Sequence, residues 1–241
     1  MSSGAISTDC GFGCDECLLC EAMAFMSGFP TGEPCKPASQ LTRATFAAGQ
    51  PLALQGVAQD RLYFLTDGLV KAGTSLPDGR QQILCARGPG DLVGLESLVS
   101  GLAPATFTPL TTVQACSLNL RDIREVLRKD TGTAHRALHL VLRELQRSWN
   151  RIQDLGLLGA RERIASVLLD LPRSRDNPDE VLLPFTREEL SEMTGLTLET
   201  VSRHMAWLKR SGIIQEQKGR IRLMDRASLS ELAAEPVESV V

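Results

Sequence analysis

Four cysteines follow one another closely near the start of the chain. Cys10, Cys14, Cys17 and Cys20 have the spacing C-x3-C-x2-C-x2-C. Two residues between cysteines let the thiolates converge on one metal centre, and three or four in succession suit an iron–sulfur cluster. Four thiolates can equally well hold zinc. The spacing therefore predicts a metal centre and leaves the choice between iron–sulfur and zinc open.

The surroundings of these cysteines support a metal-ordered segment. Residues 1–40 are rich in Gly, Pro, Ser and Cys, and such a stretch rarely folds without a metal. The total of seven cysteines is odd and no export signal precedes them, which favours free thiols in a reducing cytoplasm. Cys85 stands between Leu84 and Ala86 in a predicted strand and is expected to be a core thiol.

A second group of polar residues could read the edges of DNA bases. Arg203 can donate twice to guanine N7 and O6, Glu199 can accept from cytosine N4, and Ser202 can meet several base edges. Thr197, Thr200 and His204 lie in the same two helical turns. The alternative is that Glu199 and Arg203, four residues apart, form only a surface ion pair.

The elements around this group predict a winged helix-turn-helix. Thr186 and Glu189 have capping-box spacing, and a short helix follows to Met193. A turn at Gly195 leads to a second helix from Thr197 to about Lys209, whose Val201, Met205 and Leu208 point toward the domain. Two strands with a Gly-centred turn follow, over 213–217 and 220–224. Phosphates would be neutralised by cations of this region, namely Lys209, Arg210, Lys218, Arg220 and Arg222.

A long helix before this module carries a heptad stripe. Its period is helical from Thr133, and a seam of three- and four-residue spacing predicts a dimer interface. The seam consists of Leu138, Val141, Leu145, Ser148, Ile152 and Leu155. Ser148 is polar, so we expect a marginal and switchable dimer. The alternative is a helix that packs on its own domain.

Residues 41–122 have the pattern of strands and turns. Apolar runs at Leu62–Leu65, Ile83–Cys85 and Val113–Leu120 alternate with Gly- and Pro-containing turns about every ten residues. This spacing predicts an all-β sandwich or barrel.

The segment Gly195-Leu-Thr-Leu-Glu-Thr-Val-Ser-Arg203 resembles the recognition-helix signature of the CRP/FNR superfamily, and the Glu-x-x-Ser-Arg spacing is similar to that of its FNR branch. The resemblance covers residues 43–230, including the turns Asp67-Gly68 and Gly90-Asp-Leu-Val-Gly94. It implies an α+β fold with an N-terminal β-roll like a cyclic-nucleotide-binding jelly roll, a long dimerisation helix and a C-terminal winged helix-turn-helix. It also implies a homodimeric transcription regulator rather than an enzyme.

The same resemblance implies the ligands of the metal centre. They are Cys14, Cys17, Cys20 and Cys116 around a [4Fe-4S] cluster, with Cys10 as the spare and a [2Fe-2S] cluster or zinc as alternatives. The branch usually has C-x2-C-x5-C, but Met23 stands where the third ligand is expected. Rival ligand sets are therefore any three N-terminal cysteines with Cys116, or all four without it. Loss of the cluster in oxygen is expected to weaken the dimer and release DNA.

The resemblance implies further partners. The operator would be an inverted repeat similar to TTGAT-N4-ATCAA, and RNA polymerase would contact the loop that contains Asp78, Gly79 and Arg80. Cyclic AMP is not expected, because the stretch 103–108 has no arginine to neutralise its phosphate. The alternative function is a regulator of the same superfamily with a structural zinc or another small-molecule effector.

Composition agrees with this organisation. With 241 residues, 43% of them hydrophobic, the chain can bury a core, and its net charge of −3 excludes a wholly basic nucleic-acid binder. No apolar run approaches the roughly 18 residues that span a membrane. We therefore predict a cytoplasmic protein with a cysteine-rich metal-binding segment (1–40), a sensory β-roll (41–131), a dimerisation helix (132–158) and a DNA-binding domain (159–241).

Overall fold

A computed structural model describes residues 42–129, 131–172, 180–182, 185–217 and 220–233. The predicted metal-binding segment, with Cys10, Cys14, Cys17 and Cys20, therefore lies outside the described residues. The chain divides into two units, residues 1–74 with 87–143 and residues 75–86 with 144–241.

The first unit is a β-roll of antiparallel strands. One sheet has the strand order β1–β7–β2–β5, and β3 pairs with β6. The strands are β1 (Thr42–Phe46), β2 (Arg61–Asp67), β3 (Val70–Ser75), β5 (Leu92–Val93), β6 (Thr106–Pro109) and β7 (Val113–Asn119), and β4 (Gln81–Arg87) runs from the second unit into the first. Among the described residues, this unit also contains the helices α1 (Ser97–Ser100) and α2 (Leu120–Lys129) and the start of α3 (Thr131–Leu157), as far as Arg143.

The four-stranded sheet buries one apolar face under α2. Leu62 of β2 lies opposite Leu118 of β7, and Phe64 lies opposite Cys116. These four side chains form a buried cluster with Leu120 and Ile123 of α2. Residues directly opposite in an antiparallel pair share a face of the sheet, so the cluster follows from the register.

The sequence located the apolar strands but missed the polar ones. The predicted runs lie within β2, β4 and β7, except that Leu120 begins α2 rather than ending β7. The strands β1, β3 and β6 contain Thr, Lys, Gly and Pro and lack long apolar runs, so composition gave no signal for them. The helical pattern was predicted to begin at Thr133, but the chain is already helical from Leu120, the first residue of α2.

The second unit is helical with a small sheet. It contains α3 from Glu144 onward, α4 (Ala160–Asp170), α5 (Arg187–Thr194), α6 (Leu198–Arg210) and α7 (Arg226–Ala233), where α3 as a whole spans Thr131–Leu157. The strands β8 (Glu180–Leu182), β9 (Ile214–Gln217) and β10 (Arg220–Leu223) form a sheet in the order β8–β10–β9. A β-roll, a long helix and a winged helix-turn-helix confirm the predicted fold class.

Gly68 turns the chain between β2 and β3 at a place without room for a side chain. Its φ is +85°, and an added Cβ would lie 2.3 Å from the Thr112 carbonyl oxygen and 2.9 Å from the Cα of Val113. Gly49 has a similar φ of +80° but nothing within 4 Å of the same position.

We expect Gly68→Ala to lower the free energy of unfolding by about 3 kcal/mol, because both the left-handed backbone and the overlap with backbone atoms are costly. Gly49→Ala is the matched control and should cost only about 1 kcal/mol, from backbone strain alone. Urea unfolding of both variants gives the comparison. Equal losses would contradict the claim that space, rather than φ, distinguishes the two glycines.

Candidate nucleic-acid interface

The predicted helix-turn-helix is fixed at each end by local hydrogen bonds. Thr186 Oγ1 accepts from the amide of Glu189 at 3.1 Å, and the Glu189 carboxylate accepts from the amide of Thr186 at 2.9 Å, which is the predicted capping box. Gly195 ends α5 with φ +65°. Thr197 caps α6 by accepting from the amide of Thr200 at 3.3 Å. These contacts set the start of α6 within one residue of its predicted position.

The two faces of α6 differ completely in exposure. Val201, Met205 and Leu208 are each 0% exposed. Glu199, Ser202 and Arg203 lie on the opposite side and are exposed. Because residues three and four apart share a helix face, the buried stripe turns the polar stripe outward. The structure thus gathers the predicted base-reading side chains on one accessible surface.

Glu199 and Arg203 keep their side chains separate. Among the ion pairs of the described residues, these two do not form one, although their spacing would allow it. The ion pairs that the structure records nearby join Glu216 of β9 to Arg187 and, at 3.8 Å, to Lys209. The polar groups of Glu199 and Arg203 therefore remain available to a ligand.

The wing adjoins α6 in the second unit. Strands β9 and β10 are paired from Ile214 with Leu223 to Gln217 with Arg220. Of the predicted phosphate contacts, Arg210 and Arg222 are exposed. Lys218 lies outside the described residues, and for Arg220 only the backbone is described.

Arg161 and Trp207 were missed by sequence reasoning. The guanidinium carbon of Arg161, in the first turn of α4, lies 3.9 Å from the centre of the Trp207 ring on α6. Such a cation–π contact adds to the attachment of α6 to its domain. The heptad and turn patterns carry no signal for it, because it joins residues 46 positions apart.

The long helix α3 exposes an apolar stripe. Leu138, Val141, Leu145 and Ile152 of the predicted seam are exposed, as are Leu142 and Trp149, which the prediction omitted. Ser148 donates to the Glu144 carbonyl of its own helix at 2.9 Å. Leu155 is half-buried instead, with its Cδ2 atom 3.6 Å from the position of a Cβ on Gly195. Ser148 is exposed as well, so the exposed side of α3 includes both the predicted position and Trp149.

Cys116 is the predicted cluster ligand that falls within the described residues. Its side chain is 9% exposed at the edge of the apolar cluster on β7. The strand β1 begins at Thr42, whose Cα partner is Ser117, and Arg43 lies opposite Cys116. Within the described part of the chain, no group of three or more His, Cys, Asp or Glu residues could hold a metal. Cys85 is half-buried in β4 beside the exposed Leu84, and is therefore not the enclosed core thiol that the sequence predicted.

The loop predicted to touch RNA polymerase is an exposed tight turn. Gly79 has φ +88°, and the Leu76 amide donates to the Arg80 carbonyl at 2.9 Å. Asp78 and Arg80 form an exposed ion pair of 2.8 Å. The three predicted residues thus point into solvent from one turn.

The β-roll segment 103–108 contains small and buried side chains. Ala103 and Ala105 are each 2% exposed, and Thr106 Oγ1 accepts from the Gln55 amide at 3.1 Å. Elsewhere in this unit a buried cation, Arg87, pairs with Glu96 at 3.7 Å. Its charge is thus already matched by a carboxylate of the protein.

Comparisons with known proteins match both units. The family profile described as a Crp-like helix-turn-helix domain matches residues 162–232, and the one described as a cyclic nucleotide-binding domain matches residues 43–130. Within the described ranges, every helix is too short or too polar to cross a bilayer.

Several relatives are transcription regulators. The chain is 32% identical to the transcriptional activator protein FnrL of Cereibacter sphaeroides over 79% of this chain and 80% of that protein. It is 28% identical to the CRP-like cAMP-activated global transcriptional regulator of Mycobacterium tuberculosis, over 80% of this chain and 89% of that protein. It is also 28% identical to the anaerobic regulatory protein of Pasteurella multocida, over 80% of this chain and 70% of that protein. The structure of FixK2 from Bradyrhizobium japonicum superposes with a TM-score of 0.74 at 25% identity, covering 82% of this chain and 99% of that one.

His204 on α6 supplies a pH-dependent test of the described interface. Desolvation, then the charges of Arg203 and Arg161, hold the pKa of His204 below its ordinary value. The unfolded chain therefore takes up a proton at a higher pH than the folded one, so stability falls as pH drops below about 6.5. We expect nuclear magnetic resonance titration of the His204 ring to give a pKa below that value, and His204→Gln to flatten the pH dependence of unfolding between pH 8 and 5. A ring pKa above that of a model histidine would contradict the assignment.

Proposed function

Because the chain belongs to the CRP/FNR family of DNA-binding transcription regulators, we propose that it is an FNR-like member with an iron–sulfur sensor. Like its relatives it is a regulator rather than an enzyme. Its signal would be oxygen or the redox state, and its output would be binding of a homodimer to an inverted repeat.

The position of Cys116 carries the sensor proposal. The cysteine segment joins the described chain at β1, and β1 begins beside Ser117, the neighbour of Cys116. The 21 residues between Cys20 and Thr42 can span up to about 70 Å, so the N-terminal thiols can reach Cys116. We propose Cys14, Cys17, Cys20 and Cys116 as ligands of a [4Fe-4S] cluster, with Cys10 as the spare.

The surroundings of Cys116 fit such a group. Phe64 and Leu118 lie in the same apolar cluster and limit access of water, which is one of the properties that tune a cluster. Arg43 lies directly opposite Cys116 across the strand pair of β1 and β7. When bound, the cluster would supply sensitivity to oxygen, and its loss would weaken the dimer.

Two of the relatives support the FNR-like assignment. One is an anaerobic regulatory protein and another is FnrL. The match to the regulatory protein Btr of Bordetella pertussis covers 91% of this chain. The unmatched 9% of the chain is about 22 residues, fewer than the 40 of the N-terminal segment, so the match includes part of that segment.

A zinc centre or a small-molecule effector is the second candidate. Four close cysteines suit zinc as well as iron, and the β-roll matches a cyclic nucleotide-binding domain. Iron and acid-labile sulfide in anaerobically purified protein would favour the cluster. Zinc without sulfide would favour the alternative.

The ligand set predicts different results for two cysteines. Cys116→Ser should abolish most cluster incorporation, because serine replaces a thiolate ligand. Cys85→Ser is the matched control, a half-buried cysteine in a strand that is not among the proposed ligands, and it should retain wild-type iron and sulfide. Visible charge-transfer absorption and metal analysis of anaerobic samples measure both. Equal yields would refute Cys116 as a ligand and favour the four N-terminal cysteines.

The exposed face of α6 carries the DNA proposal. We propose that Arg203 and Glu199 read a G·C pair in each half of an operator similar to TTGAT-N4-ATCAA, and that Ser202 contacts a neighbouring base. The DNA backbone would be contacted by Thr197, Thr200, Lys218 and Arg220. In a symmetric dimer the two α6 helices would read the two half-sites.

The exposed stripe of α3 carries the dimer proposal. Apolar side chains at three- and four-residue spacing suit a parallel helix pair, with Leu138, Leu145 and Ile152 in the seam. We add Leu142 and Trp149 to the predicted residues. We further propose that the exposed turn with Asp78, Gly79 and Arg80 contacts RNA polymerase.

Two variants distinguish base reading by Arg203 from the general contribution of positive charge to DNA binding. Arg203→Ala should weaken operator binding by roughly ten- to a hundredfold and relax discrimination at the guanine, since a bidentate contact discriminates by about 1–3 kcal/mol. Arg210→Ala removes an exposed cation at the other end of the same helix. This variant should weaken binding to all DNA sequences alike. It should also lower, by about one, the slope of the logarithm of the binding constant against the logarithm of the salt concentration.

Fluorescence anisotropy with the operator and with a duplex altered at the guanine measures both variants. If Arg203→Ala still discriminates as well as the wild type, Arg203 does not read this base.

A further inference from the structure

The C-terminal end of α5 presents carbonyls that its own helix cannot satisfy. The last carbonyls of a helix have no intrahelical donor, and the helix dipole makes this end negative. Met193 and Thr194 are the last residues before Gly195, which begins the turn into α6. Whatever binds these carbonyls therefore holds the turn that orients the DNA-facing helix.

Three side chains reach these carbonyls. Nη2 of Arg151 donates to the Met193 carbonyl oxygen. Nε2 of Gln82 is 3.5 Å from the same oxygen, and Nη1 of Arg163 donates to the Thr194 carbonyl at 3.5 Å. Guanidinium groups suit this position because they bring both donors and positive charge.

The three donors lie on three different elements of the fold. Arg163 lies on α4, inside the DNA-binding module. Arg151 lies on α3, next to Ile152 of the exposed apolar stripe. Leu155, one turn further along α3, packs 3.6 Å from the Cβ position of Gly195. The long helix thus holds the turn by one charged and one apolar contact.

Arg151 is partly buried but stays charged, because a guanidinium does not lose its proton in proteins. Desolvation lowers its pKa, and the carboxylates of Asp154 and Asp170 act in the opposite direction. Arg151, Asp154 and Asp170 line one cavity of about 230 Å³ in the second unit. Arg147 lines the same cavity one turn earlier on α3, but its recorded ion pair is with Glu144 at 3.0 Å.

We propose that Arg151 is a positioning residue that transmits the state of α3 to α6 through the Met193 carbonyl. Helix pairing fixes the stripe beside Ile152, Arg151 carries that constraint to the turn, and the turn sets the direction in which α6 points. Arg151 itself contacts no DNA in this scheme. The proposal rests on family membership for DNA binding and on the proposed role of α3 in the dimer.

The test compares Arg151→Gln with the matched control Arg147→Gln in the full-length protein. We expect Arg151→Gln to weaken operator binding by about tenfold at an unchanged dimer mass. Amide hydrogen exchange should accelerate at the α5–α6 turn and leave the seam of α3 as in the wild type. Arg151→Lys retains a positive donor and should recover part of the affinity, and it also serves if the glutamine variant does not fold. Arg147→Gln should match the wild type in all three measurements.

Three results would overturn the proposal. One is wild-type operator affinity in Arg151→Gln, and another is an equal loss in Arg147→Gln. The third is loss of dimer mass or of protection along α3 in step with affinity, which is the outcome of a purely structural role. Dimer mass and hydrogen exchange can be measured whether or not the protein holds a cluster, provided that the wild type and all variants are prepared in the same way. Failure of the iron–sulfur proposal therefore leaves this test readable. A wild-type protein that is monomeric throughout would refute the dimer premise itself.

Discussion

Burial of the apolar side of α6 is the interaction on which the DNA-binding surface depends. Val201, Met205 and Leu208 are fully enclosed, and no rotation of the helix about its axis can expose them without losing several kcal/mol of apolar burial. The polar side of the same helix is therefore held outward by packing rather than by its own hydrogen bonds. The caps at Thr186 and Thr197 then fix where each helix of the pair begins.

A comparable constraint operates in the β-roll. The register of β1, β7 and β2 determines which residues lie opposite Cys116, because a slip of one residue would turn every side chain to the other face. It also brings the start of the described chain next to that thiol. The proposed sensor, which would join distant parts of the sequence, would depend on this register.

Local patterns in the sequence were sufficient for the helix-turn-helix and insufficient for its attachments. The capping box at Thr186 and the turn at Gly195 are determined by neighbours within a few residues, and both were predicted. The predicted seam includes Ser148 and omits Leu142 and Trp149, which are also exposed on α3, because the heptad pattern fits two registers that differ by one residue. The bonds of Arg151 and Gln82 to Met193 join residues far apart in sequence, so no periodicity could indicate them. Strands without apolar runs, such as β1, were missed because their composition gives no signal for a strand.

The chain contains two tryptophans, and the fold separates their surroundings. Trp149 is 58% exposed on the stripe of α3, whereas Trp207 is half-buried beneath the guanidinium of Arg161. Indole emission shifts to shorter wavelength when the ring leaves water. The native protein therefore carries one intrinsic optical reporter on the stripe of α3 and another on α6 itself. Replacing either ring by phenylalanine isolates the signal of the other without an added dye.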